Sequence, residues 1–246
     1  GVQAPLMAEE LSGRKGGAVL FSEMTPPDGQ EDQFNDWYNN HHMPSHVYGV
    51  SGFCSGQRYK DPEKPDYLAV YDLKSPDTLT DEEYRTRKYT PDAPTKKMLS
   101  AVVAFTRYIG EEISFRTRDG MSVDDALDAD VILGVFFTVP DGAVDEFIEW
   151  CETEHTPMLL KNSGWRMARH MKIVDSDPNP FTHMMLHYID SEAVLDSDEV
   201  AASRATEWRL RLAQEDWFRP HLVHYRRYGK RYHKGEAEAA TFTLDI

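Results

Sequence analysis

A chain of 246 residues is long enough for one large domain or two small ones, and either can bury a core. Apolar residues at 40% and charged residues at 28% are ordinary for a folded globular protein, which excludes wholesale disorder and collagen-like repeats. A formal charge of -15 repels phosphate backbones and anionic lipid surfaces, so no nucleic acid and no membrane is expected as a partner.

The elements, taken in chain order, form one unit written twice. Ala18 to Met24 reads as a short apolar strand. Gln33 to His42 carries apolar residues at helical spacing, and Pro44 predicts that the helix stops at the histidine. Phe53 to Tyr59 and Tyr67 to Leu73 read as a hairpin around the turn residues Asp61 to Pro65. Helix follows from Asp81 to about Arg87 and near Thr95 to Leu99, and Ala101 to Ile109 reads as a fourth strand. Glu111 to Asp130, with nine charged residues, reads as a connector.

The second unit opens with Val131 to Val139, the longest apolar run and far short of the roughly 20 residues of a membrane helix. Helix is predicted for Val144 to His155, strands for Trp165 to Lys172 and His183 to Ile189, helix for Ser197 to about Asp216, and a last strand for Leu222 to Tyr228. The chain opens on Gly1 as though trimmed, with no basic stretch leading into an apolar one, and a cytoplasmic protein is expected. Cys54 and Cys151 are too few for a disulfide framework and read as reduced, small apolar residues.

Phe34, Trp37, His42 and Pro44 return at the same spacing, 113 residues later, as Phe147, Trp150, His155 and Pro157. Gly52-Phe53 is echoed by Gly164-Trp165, and Arg107-Tyr108 by Arg227-Tyr228. The expected organisation is a repeat over 15–112, a linker over 113–129, a second repeat over 130–232 and a tail over 233–246. The fold class is α+β: two ferredoxin-like β-α-β-β-α-β repeats whose antiparallel sheets cover each other as a pseudo-dimeric α/β barrel, helices outside.

The stretch from Phe34 through Trp37-Tyr38, His41-His42 and Pro44, followed by Gly52-Phe53 and Arg58-Tyr59, resembles the dimeric α/β-barrel superfamily, and within it the EthD-like branch. The resemblance is stronger in the first half. It implies a tandem version of that dimer with a small apolar pocket in each half, in a superfamily that holds cofactor-independent isomerases, cyclases and monooxygenases as well as haem enzymes. The second half departs from the pattern, with Cys151 for Tyr38, Glu154 for His41 and His170 aligned with Arg58.

At about 100° per residue from Phe34, His41 falls at about 340°, inside the apolar stripe, and His42 at about 80°, on its border. Ionisable groups on a sheet-facing stripe lose hydration and are poised for proton transfer, while a histidine at a helix C-terminus is also a cap. His155, His170, His183, His187, His221 and His224 are six of the ten histidines. Strand alternation puts His183 and His187 on one face, with His170 able to lie beside them on the adjacent strand. Such a wall suits acid-base work near neutral pH. Arg58 could pair with a substrate carboxylate and Tyr59 could donate to an oxyanion, or both could serve sheet packing. Trp37 and Trp150 could stack on an aromatic ligand or fill the core.

These features point to an enzyme, an isomerase, cyclase or lyase, that moves protons on a small apolar, aromatic or polyketide-like substrate. His42, His155, His170, His187 and Tyr38 are the expected catalytic residues, and Trp37, His41, Arg58, Tyr59, Trp150, Glu154 and His183 the expected substrate contacts, with the second pocket slightly preferred. No organic cofactor and no metal is expected. The alternatives are a haem- or metal-dependent oxidoreductase of the same superfamily and a noncatalytic small-molecule binder. The single chain is expected to be a pseudo-dimer, with further homo-oligomerisation through the helical faces left open.

Overall fold

The computed structural model describes residues 13–242. Gly1 and the end of the expected tail lie outside the described residues. The first unit runs β1 (Ala18–Met24), α1 (Glu31–Trp37), a π-helical turn (Tyr38–His42), α2 (Met43–Val47), β2 (Phe53–Lys60), β3 (Tyr67–Leu73), α3 (Glu82–Tyr89), α4 (Ala93–Ala101) and β4 (Arg107–Thr117). After α5 (Val123–Leu127) the second runs β5 (Val131–Phe137), α6 (Val144–Trp150), a π-helical turn (Cys151–His155), α7 (Thr156–Leu159), β6 (Trp165–Asp177), β7 (His183–Ile189), α8 (Asp198–Arg204), α9 (Glu207–Leu212) and β8 (His221–His233), and α10 (Ala237–Thr241) follows.

Each unit is a four-stranded antiparallel sheet, in the orders β2-β3-β1-β4 and β6-β7-β5-β8. A lone sheet of this kind leaves two open edges and one bare apolar face. Both are resolved together: β4 pairs with β6 and β2 with β8, closing an eight-stranded barrel with the helices outside. This explains why β4, β6 and β8, at 11, 13 and 13 residues, outrun the predicted strands: each continues past its own unit to pair with the other. Side chains alternate between two environments. Val19, Phe21, Leu68, Val70, Phe136 and Met184 fill the barrel interior, while the opposite faces pack under the helices in two separate cores.

Several expectations change. The segment expected as a linker is part of the barrel, because β4 extends to Thr117 and α5 buries Val123, Ala126 and Leu127 in the interior. The helix predicted over Ser197 to Asp216 is two helices, each N-capped, by Ser197 and Thr206. Arg107-Tyr108 and Arg227-Tyr228 are not equivalent: Phe21 of β1 faces Tyr108, whereas the matching Gly134 of β5 faces Val223. The first helix does not stop at the histidine in either unit. It widens into a π turn and resumes with Pro44 or Pro157 in the first turn of the next helix. Proline removes a donor and clashes with the carbonyl four residues back, and the wider turn accommodates both defects without ending the helix.

Among the described residues no helix is long and apolar enough to cross a membrane. Both cysteines are free, Cys54 half-buried and Cys151 buried.

Candidate active site

The π turn determines which side chains reach the interior. In an α-helix residues i and i+5 diverge, whereas a π turn stacks them on one face. His42 consequently lies flat on Trp37, with ring centroids 4.4 Å apart and 23° from parallel, and His155 lies on Trp150 at 4.5 Å and 22°. The stripe calculation is therefore overturned: His42 turns inward and His41 turns away. His41 Nε2 lies 2.7 Å from Asp92, which caps α4 by accepting from the Thr95 amide. Glu154, the counterpart of His41, accepts from Trp150 Nε1 at 3.0 Å and from Thr206, the cap of α9. Both residues tie the π turn to the next helix pair. The capping role considered for His42 and His155 falls away, since no helix ends at either.

Between helices and sheet of the first unit lies a cavity of about 990 Å³. Leu20, Ser22 and Met24 of β1 and Tyr71 of β3 form its floor, Tyr38, His42, Ser45 and His46 one wall, and Tyr84, Thr95 and Leu99 another. Its mouth is charged. Arg107 spans it, donating to Asp175 at 3.1 Å and to Tyr84 at 2.9 Å, so β6 of the second unit helps shape the entrance.

Burial sets the proton chemistry inside. It pushes His42 well below the usual imidazole range, helped by neighbouring His46, and lowers His46 to about 4. Both are neutral at pH 7. Burial raises Tyr38 and holds Tyr71 well above its ordinary value, so both keep their protons, and the hydroxyls meet at 3.5 Å with Tyr71 donating. Arg58 does not reach the cavity. It lies behind Tyr38, 4.4 Å from the ring centroid, and donates to Asn39 at 2.8 Å and Asn35 at 2.9 Å. Tyr59 is packed in the barrel interior, on the other side of the sheet, because it follows Arg58 in the alternation. Trp37 supports His42 from beneath and bonds Thr95 at 3.1 Å.

The second unit brings its histidines together, but around solid packing. His170 sits across from Met185, flanked by His183 and His187, as alternation predicts. His170 bonds Ser114 at 3.1 Å and Thr156 at 2.9 Å, His187 accepts from Trp165 at 3.2 Å, and His183 bonds Thr182 at 2.8 Å. The void at this place is about 10 Å³, at the limit for a single water. Three bulkier side chains stand in this unit. Where Ser22 faces Ala69 in the first unit, Val135 faces Met185 in the second, and Phe218 inserts against Phe137 and Trp150 at 5.1 and 5.7 Å. The void beside His170 and His183 is too small for a substrate and the large cavity lies in the first unit, against the preference for the second pocket.

Sequence reasoning missed His46, Tyr71 and Tyr84. A second histidine four residues after His42 on the same helical face was the available signal for His46. Among the described residues no group of three or more His, Cys, Asp or Glu side chains stands at metal-binding spacing.

The architecture is that of the dimeric α/β-barrel proteins, closed here within one chain. No family model matches the sequence, and no curated protein does. Among solved structures, the chain is similar to an anthrone oxidase-like protein, with a TM-score of 0.64 and 14% identity over 92% of this chain and 97% of that one. It is also similar to a candidate monooxygenase from Fusobacterium nucleatum subsp. nucleatum, at TM-score 0.54 and 9% identity over 89% and 96% of the two chains. The chlorite dismutase of Candidatus Nitrospira defluvii aligns at TM-score 0.55 and 8% identity over 87% and 92%. These likenesses establish the fold.

Proposed function

We propose that the chain is an enzyme that transfers a proton on a small, largely apolar, aromatic or polyketide-like molecule bound in the first-unit cavity, with no organic cofactor. The observation that carries this reading is the cavity itself: about 990 Å³, enough for several fused rings, with two neutral imidazoles and two protonated tyrosines on otherwise largely apolar inner walls. A neutral imidazole removes a proton next to a carbonyl or activated ring. The electron pair moves to the oxygen, and Tyr38, whose hydroxyl accepts from Tyr71 and keeps its own proton free, donates to that oxyanion. The matching order and pairing of the two units support a tandem duplication, with the second copy retained for closure of the barrel, and the resemblance carried by the stretch from Phe34 to Tyr59 supports an EthD-like unit as its origin.

Two of the structural neighbours are named as an anthrone oxidase-like protein and a candidate monooxygenase, which favours a second, oxidative reading of the same site. In it the carbanion left by proton removal reacts with dioxygen, a methylene plus O₂ giving a carbonyl plus water.

Dihydroxyanthrone, a tricyclic phenolic ketone with an acidic methylene, tests both. In deuterated buffer without oxygen the protein is expected to accelerate exchange at the methylene, and an oxygen electrode shows whether oxidation follows. No acceleration of either process over buffer rejects the catalytic reading. Saturable binding without turnover supports the binding-protein alternative, and a Soret band or stoichiometric metal in purified protein supports the haem or metal alternative.

A further inference from the structure

We infer that His46, and not the recurring histidine, is the proton acceptor of the cavity, with Nε2 as the accepting atom. This rests on the catalytic reading above and deepens it.

The first ground is a comparison of the two units. The Trp-His stack recurs with nearly the same geometry, 4.4 Å and 23° in one unit and 4.5 Å and 22° in the other. Yet in the second unit Trp150 is fully buried with Phe218 packed against it, and the void beside His170 and His183 is only about 10 Å³. A feature present in equal form in two differently packed units is accounted for by the helix, whose π turn it stabilises face to face. The histidine at position 46 behaves differently. Its counterpart, 113 residues on, is Leu159, which is buried in the apolar core of the filled unit. His46 is found only where the cavity is.

The second ground is the state of the ring. His46 Nδ1 lies 2.8 Å from the carbonyl oxygen of His42. A carbonyl only accepts, so Nδ1 carries the proton and Nε2 carries the lone pair. Ser45, whose hydroxyl donates to the same carbonyl at 2.7 Å, completes this arrangement. Among the described residues Nε2 meets no hydrogen-bond partner, while the ring lines the cavity and stands 5.9 Å, centroid to centroid, from each of Tyr71 and Tyr84. The bound carbonyl also stabilises the imidazolium formed when Nε2 takes a proton, as an orienting acceptor does for a catalytic histidine. Neither nitrogen of the His42 ring is oriented in this way. The lowering of His46 to about 4, by burial first and then by Arg87, keeps the acceptor unprotonated at neutral pH.

The step is a proton transfer from a carbon acid to Nε2, leaving the electron pair on the conjugated oxygen that Tyr38 faces. Nothing is oxidised, and the proton returns to the product or to solvent.

The test uses the full chain with dihydroxyanthrone in deuterated buffer. His46→Leu, the residue the second unit carries, is expected to lose at least about a hundredfold in exchange rate. His42→Phe, which keeps the ring on Trp37, is expected to lose less than about tenfold. Added imidazole should restore part of the rate to His46→Ala. Nitrogen-15 histidine spectra of the wild type, which require no turnover, should show His46 as the Nδ1-protonated tautomer. The inference is overturned if His42→Phe abolishes exchange while His46→Leu retains it, a result that leaves the enzyme reading intact. It is overturned equally if the spectra show His46 protonated on Nε2, whatever the activity. A wild type that does not accelerate exchange rejects the catalytic reading and this assignment together.

Discussion

Ser22, on the cavity floor, lies opposite Ala69 across β1 and β3, a pair of small side chains on the helix-facing side of the first sheet. At the equivalent place Val135 lies opposite Met185, and the floor is filled. The double variant Ser22→Val, Ala69→Met should reproduce the filled floor in the first unit. It is expected to weaken binding of dihydroxyanthrone, followed by tryptophan fluorescence, at least tenfold. Because Ser22 borders the cavity and Ala69 is its neighbour across the strands, the added atoms are expected to enter that space and the melting temperature to change by only a few degrees. Unchanged affinity would place the ligand elsewhere.

Acid should unfold the protein through its buried histidines. Burial lowers His46 and His170 to about 4 and His155 to about 3, against about 6.5 in an unfolded chain. With the folded values depressed, the unfolded chain binds more protons below pH 6.5. Stability is therefore full above that pH and falls as the pH drops toward 4, continuing toward 3 for His155, by up to about 1.4 kcal/mol per pH unit for each group. Urea titrations at pH 7.5, 6 and 5 should show midpoints that fall steadily. His155→Phe, which preserves the stack on Trp150, should flatten the slope by about one proton, and a parent profile that is already flat contradicts the account.

A buried ion cluster at one end of the barrel holds the two units together. Arg169 of β6 is fully buried and meets Asp72 of β3 at 2.9 Å and Glu112 of β4 at 2.7 Å. Arg169→Met leaves the enclosed Asp72 without its ion partner, while Glu112 keeps Lys15 at 2.5 Å, and a loss of about 3–5 kcal/mol in denaturant titrations is expected. Replacing Arg169, Asp72, Glu112 and Lys15 together by apolar side chains of similar volume should recover most of that loss, because Lys15 would otherwise be left buried without its carboxylate.

Arg107 bridges the entrance, and its partner Asp175 is 63% exposed at the side chain. Such a pair contributes within about 1 kcal/mol to stability. Arg107→Ala should therefore leave the denaturation midpoint nearly unchanged while speeding ligand entry and release in stopped-flow fluorescence. A stability loss with unaltered kinetics would mark the residue as structural.

The sequence alone determined much of this protein. Period-two alternation and turn residues located Ala18–Met24, Tyr67–Leu73 and His183–Ile189 with the bounds found in the structure, and the doubled pattern implied two sheets that cover each other. The aromatic and histidine content of the first helix drew attention to the right element, because local spacing is written in the chain. The wheel nevertheless exchanged His41 and His42, since it assumes 3.6 residues per turn and the wider turn before Pro44 violates that assumption.

Only the tertiary structure decided which unit keeps a hollow. Histidine density favoured the second unit, but density carries no information about volume. Volume is decided by side chains brought together from distant positions: Ser22 with Ala69 in one unit, Val135 with Met185 and Phe218 in the other. It was also the fold that separated Tyr59 from the cavity and placed Asp175 at its mouth, because a closed barrel gives each strand an inside, an outside and a neighbour from the other half. Local periodicity fixes elements, and the sizes of side chains that meet only after folding fix the space between them.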